Sequence, residues 1–293
     1  MNYEPNPHAS SLRRQKSKTI AVVIPEIANN FFTLAINGIE SVAQEKGYHV
    51  LIYLTHEDYP REVSFLKHLH NGRVDGLLMS LSSTTTDYTH LTELQTKDIP
   101  VILFDRVSDA INTIKITTDD YDSGYQATRH LIEMGCDKIA YLMISKSLSI
   151  GTKRMEGYIQ AMKDHDLSIE KEWIIYGSND NEENLQMVCN LLKGSNRPNG
   201  LFASVERLAI SAYQACEQLS LRVPEHVKII SFSNLEIAAW LNPSLTTITQ
   251  PAFDMGQKAA TILFKALEKK SFTITDETII LKSTLNVRKS TGG

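Results

Sequence analysis

Seven short stretches of this sequence are crowded with side chains able to hold a polar molecule. They are "PEIANNFF" from residue 25, "MSLSS" from 79, "FDRVSD" from 104, "ISKSLSIGTKRMEG" from 144, "ASVER" from 203, "SFSNLE" from 231 and "TQPAF" from 249. Ser, Asn, Asp, Arg and Phe recur in them. Hydroxyls, amides and charges exchange hydrogen bonds and aromatic faces stack, so the set suits a polar, ring-shaped ligand better than an acyl chain. Catalysis has no comparable anchor: GxGxxG is missing after the first apolar run, and GxxxxGK[ST], GxSxG and HExxH occur nowhere. The three cysteines, Cys136, Cys189 and Cys216, sit in apolar-periodic segments at spacings that suit neither zinc nor a redox pair, and they read as core residues. His68 and His70 are two apart on a predicted helix and cannot share a face. No catalytic residue, metal ligand or cofactor is predicted.

One further stretch has a different chemistry. "PNPHASSLRRQKSK" from residue 5 ends with Arg13, Arg14, Lys16 and Lys18, directly ahead of the apolar run "TIAVVIP". Taken alone it reads as a solvated tail. The net charge of −4 argues against a nucleic-acid surface spread over the whole chain, so any polyanion contact is local, and this is the densest basic locality.

The elements that position these stretches alternate between β-rich apolar runs and amphipathic helical segments. "TIAVVIP", "NNFFTLAINGIESVAQEKG" and "YHVLIY" read as strand, helix and strand. Within that helix Phe32, Ala35, Ile36, Ile39, Val42 and Ala43 share one face, Asn29 or Asn30 can cap the start, and Gly47 can end it. Pro60 opens a helix that turns Val63, Leu66 and Leu69 inward, and strands "VDGLLM", "PVILF" and "TIKIT" follow. The cycle restarts with a helix from about Tyr121 to Met134 and strands "KIAYLM", "WIIY", "GLFA" and "VKIISF". Such alternation implies right-handed crossovers and parallel sheets covered on both faces. The predicted fold class is therefore α/β, with two doubly wound parallel-sheet subdomains. A last helix and terminal strands after two complete halves mean that the chain crosses between them more than once. With 293 residues and 42% hydrophobic content the chain can bury two such cores. No run of about 18 apolar residues is present and no secretory leader opens the chain, so a cytoplasmic location with no membrane partner is expected.

The sequence resembles the LacI/GalR family of bacterial transcription regulators over its whole length. The markers, in order, are "PNPHASSLRRQKSKTIAVVIPEIANNFF", "VILFDR", "TDDYDSGYQATRHLIEMGCDKIAYL", "RMEGYIQAM", "LNPSLTTITQPAFDMGQKAA" and "LNVRKST". The resemblance implies a periplasmic-binding-protein-like core that binds a sugar or related metabolite in the cleft between its subdomains and shifts between states of different DNA affinity. It implies a repressor, a homodimer and no enzymatic activity. Residues 1–17 would be the hinge, residues 18–118 with 251–272 one subdomain, and residues 119–250 with 273–293 the other. In the hinge Asn6 and Pro7 fit the cap and first turn of a short helix, Leu12 the apolar wedge of a minor-groove kink, and Arg13 and Arg14 the phosphates. About seven residues make too short a helix to stand alone, so order there is expected only on DNA. The family's helix-turn-helix is absent from this chain, and Ser10 stands where many relatives carry Arg. Operator DNA is therefore a partner only through the full-length protein.

The effector residues that the resemblance points to are Asn30, Phe31, Asp105, Arg154, Glu206, Ser233 and Gln250. Arg154 matches the family's RxxG segment, where a guanidinium can grip two adjacent hydroxyls or a carboxylate; the alternative is a surface salt bridge. Asp105 either accepts sugar hydroxyls or caps a turn with Arg106. Phe31 is the better stacking candidate because Phe32 lies on the core face. Asn30 replaces a common Pro, and Gln250 offers its amide or serves structure. Val205 and Glu206 stand where relatives have Asn-Asp, and Ser233 replaces an acidic residue, so the effector's hydroxyl pattern differs. Trp240 stacks on a ring or packs. A periplasmic-type sugar-binding protein is the alternative reading, and the basic lead-in speaks against it.

Overall fold

The computed structural model describes residues 16–69, 72–143, 145, 147–178, 180–269 and 271–293. In chain order its elements are β1 (Thr19–Ile24), α1 (Asn30–Glu45), β2 (His49–Leu54), α2 (Tyr59–Leu69), β3 (Gly76–Met79), α3 (Thr89–Gln95), β4 (Val101–Phe104), β5 (Ile114–Thr118), α4 (Asp120–Glu133), β6 (Ile139–Met143), α5 (Ser149–Asp164), β7 (Ile174–Tyr176), α6 (Asn181–Leu192), β8 (Gly200–Ala203), α7 (Glu206–Gln218), β9 (Lys228–Phe232), β10 (Thr246–Thr249), α8 (Ala252–Glu268), β11 (Glu277–Leu281) and β12 (Thr284–Asn286). The chain divides into two compact units, one reaching to Thr117 and resuming over Ala252–Leu281, the other comprising Thr118–Pro251 and Lys282–Gly293.

The first unit holds a six-stranded sheet in the order β11-β5-β4-β3-β1-β2. β1 shows why it folds so. Ile20, Val22 and Ile24 pack into the apolar layer under α1 and α8, while Ala21 and Val23 face the opposite layer with Leu66 and Leu91. A strand buried on both faces is what helices on both sides of a parallel sheet require. Pairing of Val23 with Met79 and of Met79 with Leu103 levels the carboxyl ends of β1, β3 and β4, so their following loops share one rim. Helix α2 differs in detail from its predicted inward face: Leu66 and Leu69 are buried, Val63 is half-buried, and the charged Glu62 is fully buried instead. Its carboxylate accepts from the Ser82 amide, the Thr85 hydroxyl and His90 Nε2, which explains how a charge is tolerated there.

The second unit repeats the plan with the order β12-β10-β9-β8-β6-β7, all parallel except the β10–β12 pair. The units depart from the predicted boundaries by one residue at Thr118 and at Pro251, both of which belong to the second unit, and by more near the C-terminus. The resemblance puts residues 273–281 in the second half, whereas β11 lies beside β5 in the first sheet. The reason is local: Lys115 in β5 is only 2% exposed, and its ammonium bonds to the Asp276 carboxylate just ahead of β11. A buried cation needs that partner. Cys136, Cys189 and Cys216 are free and buried; burial pushes the thiol of Cys136 to about 11 and that of Cys216 to about 12, so both are unreactive.

Candidate functional site

Two glycines assemble the centre of the second unit's rim. Helices α4 and α5 pack so closely that a Cβ on Gly157 would lie 2.6 Å from the Tyr125 amide nitrogen, and one on Gly124 would lie 2.9 Å from the Arg154 Cα. Only residues without a Cβ allow such an approach. It presses Arg154, one turn before Gly157, against Asp120 at the start of α4, where Arg154 Nε donates to Asp120 Oδ1 at 2.7 Å. Nη1 donates to the Ser204 carbonyl at 2.8 Å, and the guanidinium carbon sits 3.6 Å from the centre of the Phe232 ring. Nη2 is buried and has no partner.

Arg154 and Asp120 are each 2% exposed, so the surface salt bridge considered for Arg154 is replaced by a buried ion pair. Of the three guanidinium nitrogens Nε and Nη1 are engaged, so any grip on neighbouring hydroxyls falls to the two hydrogens of Nη2. Burial pushes the Asp120 carboxyl above its ordinary range, opposed by the Arg154 charge and by hydrogen bonds from Arg154 and Thr118. The pair stays ionised, because a neutral Asp120 would strand a buried guanidinium without a counter-charge.

The network continues along the rim. The Thr118 hydroxyl bonds to Asp120 and accepts from Gln250 Nε2 at 3.1 Å, and the Gln250 carbonyl accepts from Asn234 Nδ2 at 2.7 Å. Thr118 and Gln250 sit where the chain enters and leaves the unit, so the Arg154 cluster is hydrogen-bonded to two of the three crossing segments. A third is tied in by Asp119, whose carboxylate accepts from the Ser283 amide at 2.8 Å. Ser233 Oγ donates to Glu206 Oε2 at 2.9 Å, bringing a carboxylate to the end of β9 from the first turn of α7.

On the first unit's rim, Asn29 and not Asn30 caps α1, its side chain accepting from the Phe31 amide at 2.9 Å; Asn30 is half-buried. Phe31 corrects the expectation that only one of the two phenylalanines faces the core. It is 6% exposed and meets Phe32 edge-on, with ring centres 5.3 Å apart, because the first helical turn lies over the end of the sheet. Asp105 is buried with a left-handed φ of 60°. Arg106 Nε is 4.0 Å from the Asp105 carboxylate, a long ion pair, while Nη1 bonds to Glu57 at 2.5 Å. Glu57 also accepts from the Ser83 amide. Burial pushes the Glu57 carboxyl up, but the Arg106 charge and these hydrogen bonds outweigh it and hold it below the ordinary glutamate range.

Trp240 neither packs nor meets the Arg154 cluster through any described contact; it is 87% exposed, with Ile237 one short turn before it. Asn6, Leu12, Arg13 and Arg14 lie outside the described residues. What is described is the end of the lead-in, which Asp75 holds by accepting from the Ser17 amide at 2.7 Å, the Ser17 hydroxyl at 2.9 Å and the Lys18 amide at 3.0 Å. Lys16 Nζ donates to the Leu267 carbonyl at the end of α8. Among the described residues no cluster of His, Cys, Asp or Glu could hold a metal ion, and no helix is long and apolar enough to cross a membrane. Sequence reasoning missed Asp120, Thr118, Phe232, Glu57 and Asp75 as site residues. Only "DRVSD" and the helix-start pair Asp119–Asp120 hinted at them, and nothing in the spacing links Asp120 to an arginine 34 residues later.

Comparison with known proteins gives a consistent picture. Residues 17–286 match the family described as periplasmic binding proteins and sugar binding domain of LacI family. The HTH-type transcriptional repressor PurR of Aliivibrio fischeri (strain MJ11) is 31% identical, the match covering 98% of this chain and 87% of that protein. The ribose operon repressor of Haemophilus influenzae is 29% identical over 99% of this chain and 86% of its own length. Among solved structures, a LacI family transcriptional regulator from Enterococcus faecium with bound ribose superposes with a TM-score of 0.81 at 26% identity, covering 93% of this chain and 98% of that one.

Proposed function

The chain belongs to the LacI family, and from that premise we propose that its strand-end rims read a small sugar-like effector and that occupancy changes the affinity of the full-length protein for operator DNA. It is the core of a transcription regulator, whose named relatives are repressors and not transport receptors or enzymes. The observation that carries the effector reading is Arg154 Nη2, a buried donor with no partner at the carboxyl end of a parallel sheet. An unmet buried donor costs about 1–3 kcal/mol, which a ligand hydroxyl or carbonyl recovers. Asn30, Phe31, Asp105, Glu206, Ser233 and Gln250 complete the proposed contacts. Coupling runs through Asp120, Thr118 and Gln250, the hydrogen-bonded route from Arg154 to the crossing segments. DNA is met by the lead-in, with Asn6, Leu12, Arg13 and Arg14 at the groove and Asp75 setting where the lead-in joins the core. A homodimer in the cytoplasm is part of the proposal: Ile237 and Trp240, i and i+3 on a tight helical turn, expose apolar surface on one face.

Thermal unfolding with D-ribose, other mono- and oligosaccharides and purine bases tests the effector reading. A ligand at 100 times its Kd raises stability by about 2.7 kcal/mol. Arg154→Lys, which keeps the charge beside Asp120 but removes the free nitrogen, is expected to abolish the shift. A ligand that stabilises both proteins equally would place recognition away from Arg154, and turnover of any bound compound would overturn the regulator reading.

A further inference from the structure

We propose that Tyr48 is the positioning residue that ties the basic lead-in to helix α8, so that the direction in which the lead-in leaves the core follows that helix. The inference rests on the reading of the lead-in as the DNA-contacting segment and names what orients it. Lys18, Tyr48 and Asp75 each stand one residue ahead of a strand, β1, β2 and β3, and these strands are neighbours in the order β3-β1-β2. Parallel pairing of Thr19 with His49 and of Ile20 with Gly76 sets the three residues in a row, at the end of the sheet opposite the strand-end rim. Tyr48 reaches across that row. Its ring lies 4.4 Å from the Lys18 ammonium, and its hydroxyl donates to the Asp75 carboxylate, which also accepts from the Ser17 and Lys18 amides. Burial and the Asp75 charge push the phenol up to about 12, so it keeps the proton that it donates. The same ring meets Phe264 of α8 edge-on, with centres 4.9 Å apart and both residues buried. One side chain thus touches the lead-in and the helix.

The backbone points the same way. Lys18 has a left-handed φ of 54°, which a residue with a Cβ holds only where its surroundings over-determine it. Here they do: the Lys18 amide is held by Asp75, its carbonyl accepts from the His49 amide at 2.9 Å, and its ammonium lies over Tyr48. The left-handed residue turns the chain off the line of β1, so this bend sets the exit direction. Helix α8 connects the bend to the far end of the unit. It starts directly after the crossing segment that ends at Pro251, and its 17 residues span about 25 Å. Near its start it is locked to α1, since a Cβ on Gly256 would lie 3.1 Å from the Ala35 Cα and one on Gly38 3.0 Å from the Gln257 amide nitrogen. At its end Glu268 pairs with Lys46 at 3.0 Å, and the Leu267 carbonyl accepts from Lys16 Nζ at 3.0 Å. A close-packed interior transmits strain, so a shift of α8 reaches Ser17 and Lys18 through Phe264 and Tyr48.

Amide exchange of Ser17 and Lys18 in the full-length protein reads the joint. Tyr48→Phe keeps the ring and removes the hydroxyl, and Tyr48→Leu removes both; they are expected to speed exchange at least about threefold and about tenfold. Phe264→Leu, on a residue that bonds to neither amide, is expected to speed it at least about threefold in wild type and to add nothing in the Tyr48→Leu protein. The DNA probes are a duplex selected from a randomised library by the wild-type full-length protein and an unselected duplex of random sequence. Tyr48→Leu is expected to bind the selected duplex at least about tenfold more weakly and the random one within about twofold of wild type, because phosphate attraction needs no oriented lead-in and seating in the groove does. Equal loss on both duplexes would reduce Tyr48 to a structural role and overturn the proposal. Wild-type exchange in Phe264→Leu, or in Tyr48→Phe, would overturn it as well, and neither variant depends on Tyr48→Leu folding. Faster exchange with no loss on either duplex would instead leave the joint standing and overturn the DNA reading of the lead-in.

Discussion

Gly157→Ala tests whether the approach of two helices, and not the arginine alone, creates the site. The substitution has a favourable side: alanine in place of glycine in a helix interior gains about 1 kcal/mol. Against it stand the Tyr121 carbonyl oxygen, nearest to the new Cβ, and the Tyr125 amide nitrogen at 2.6 Å, where ordinary contact begins near 3.4 Å. The helices must part by about 1 Å, and overpacking of this kind costs about 1–3 kcal/mol. Directed along the Arg154–Asp120 bond, the same movement stretches 2.7 Å to about 3.7 Å, past hydrogen-bonding distance, and weakens a buried pair whose full rupture costs about 3–5 kcal/mol. The expected net loss is about 2 kcal/mol, or a fall of roughly 4–8 °C in the unfolding midpoint of the second unit. Differential scanning calorimetry of the two proteins measures it, and effector affinity should fall in parallel because Nη2 loses its fixed position. A variant as stable as wild type, or stabilised by the propensity gain, would refute the close-approach argument.

Three other perturbations probe the rest of the molecule. Asp75→Ala removes three hydrogen bonds that hold Ser17 and Lys18, so trypsin should cut after Lys16 and Lys18 at least about fivefold faster while the core stays intact; an unchanged rate would show that the lead-in is anchored by other contacts. Two groups give stability a pH dependence of known sign. The Glu57 carboxyl lies below its ordinary 4.5 in the folded protein, so its contribution is present above that pH and is lost as pH falls through the lower folded value. Burial, against a weaker pull from Glu133, holds His130 below its ordinary 6.5. The unfolded chain therefore takes up a proton first, stability declines as pH drops below 6.5, and His130→Gln should flatten that part of a denaturation profile. Trp240→Asp should shift the protein toward monomer in sedimentation at micromolar concentration; an unchanged dimer would move the interface elsewhere.

The repeating α/β plan is legible in the chain, because burial on both faces of parallel strands writes near-continuous apolar runs such as "TIAVVI" and each covering helix writes a 3.6-residue face. It also pointed to the loops after the strands, since a parallel sheet gathers those loops on one rim. Arg154 and Gly157 were visible as neighbours in one segment, but the reason for their spacing was not: the glycine lets α4 approach, and α4 carries Asp120. Packing settles which guanidinium nitrogen stays free, that Asn29 caps α1, that Phe31 joins the core and that the short ion pair of Arg106 is with Glu57, with Asp105 farther off. It also placed β11 in the first sheet, through a lysine in β5 and an aspartate far along the chain. These are contacts between residues distant in sequence, fixed by charge neutralisation and backbone approach, and one-dimensional periodicity carries no record of either. What a short window encodes is which side of an element is buried; which partner waits there depends on how the elements pack.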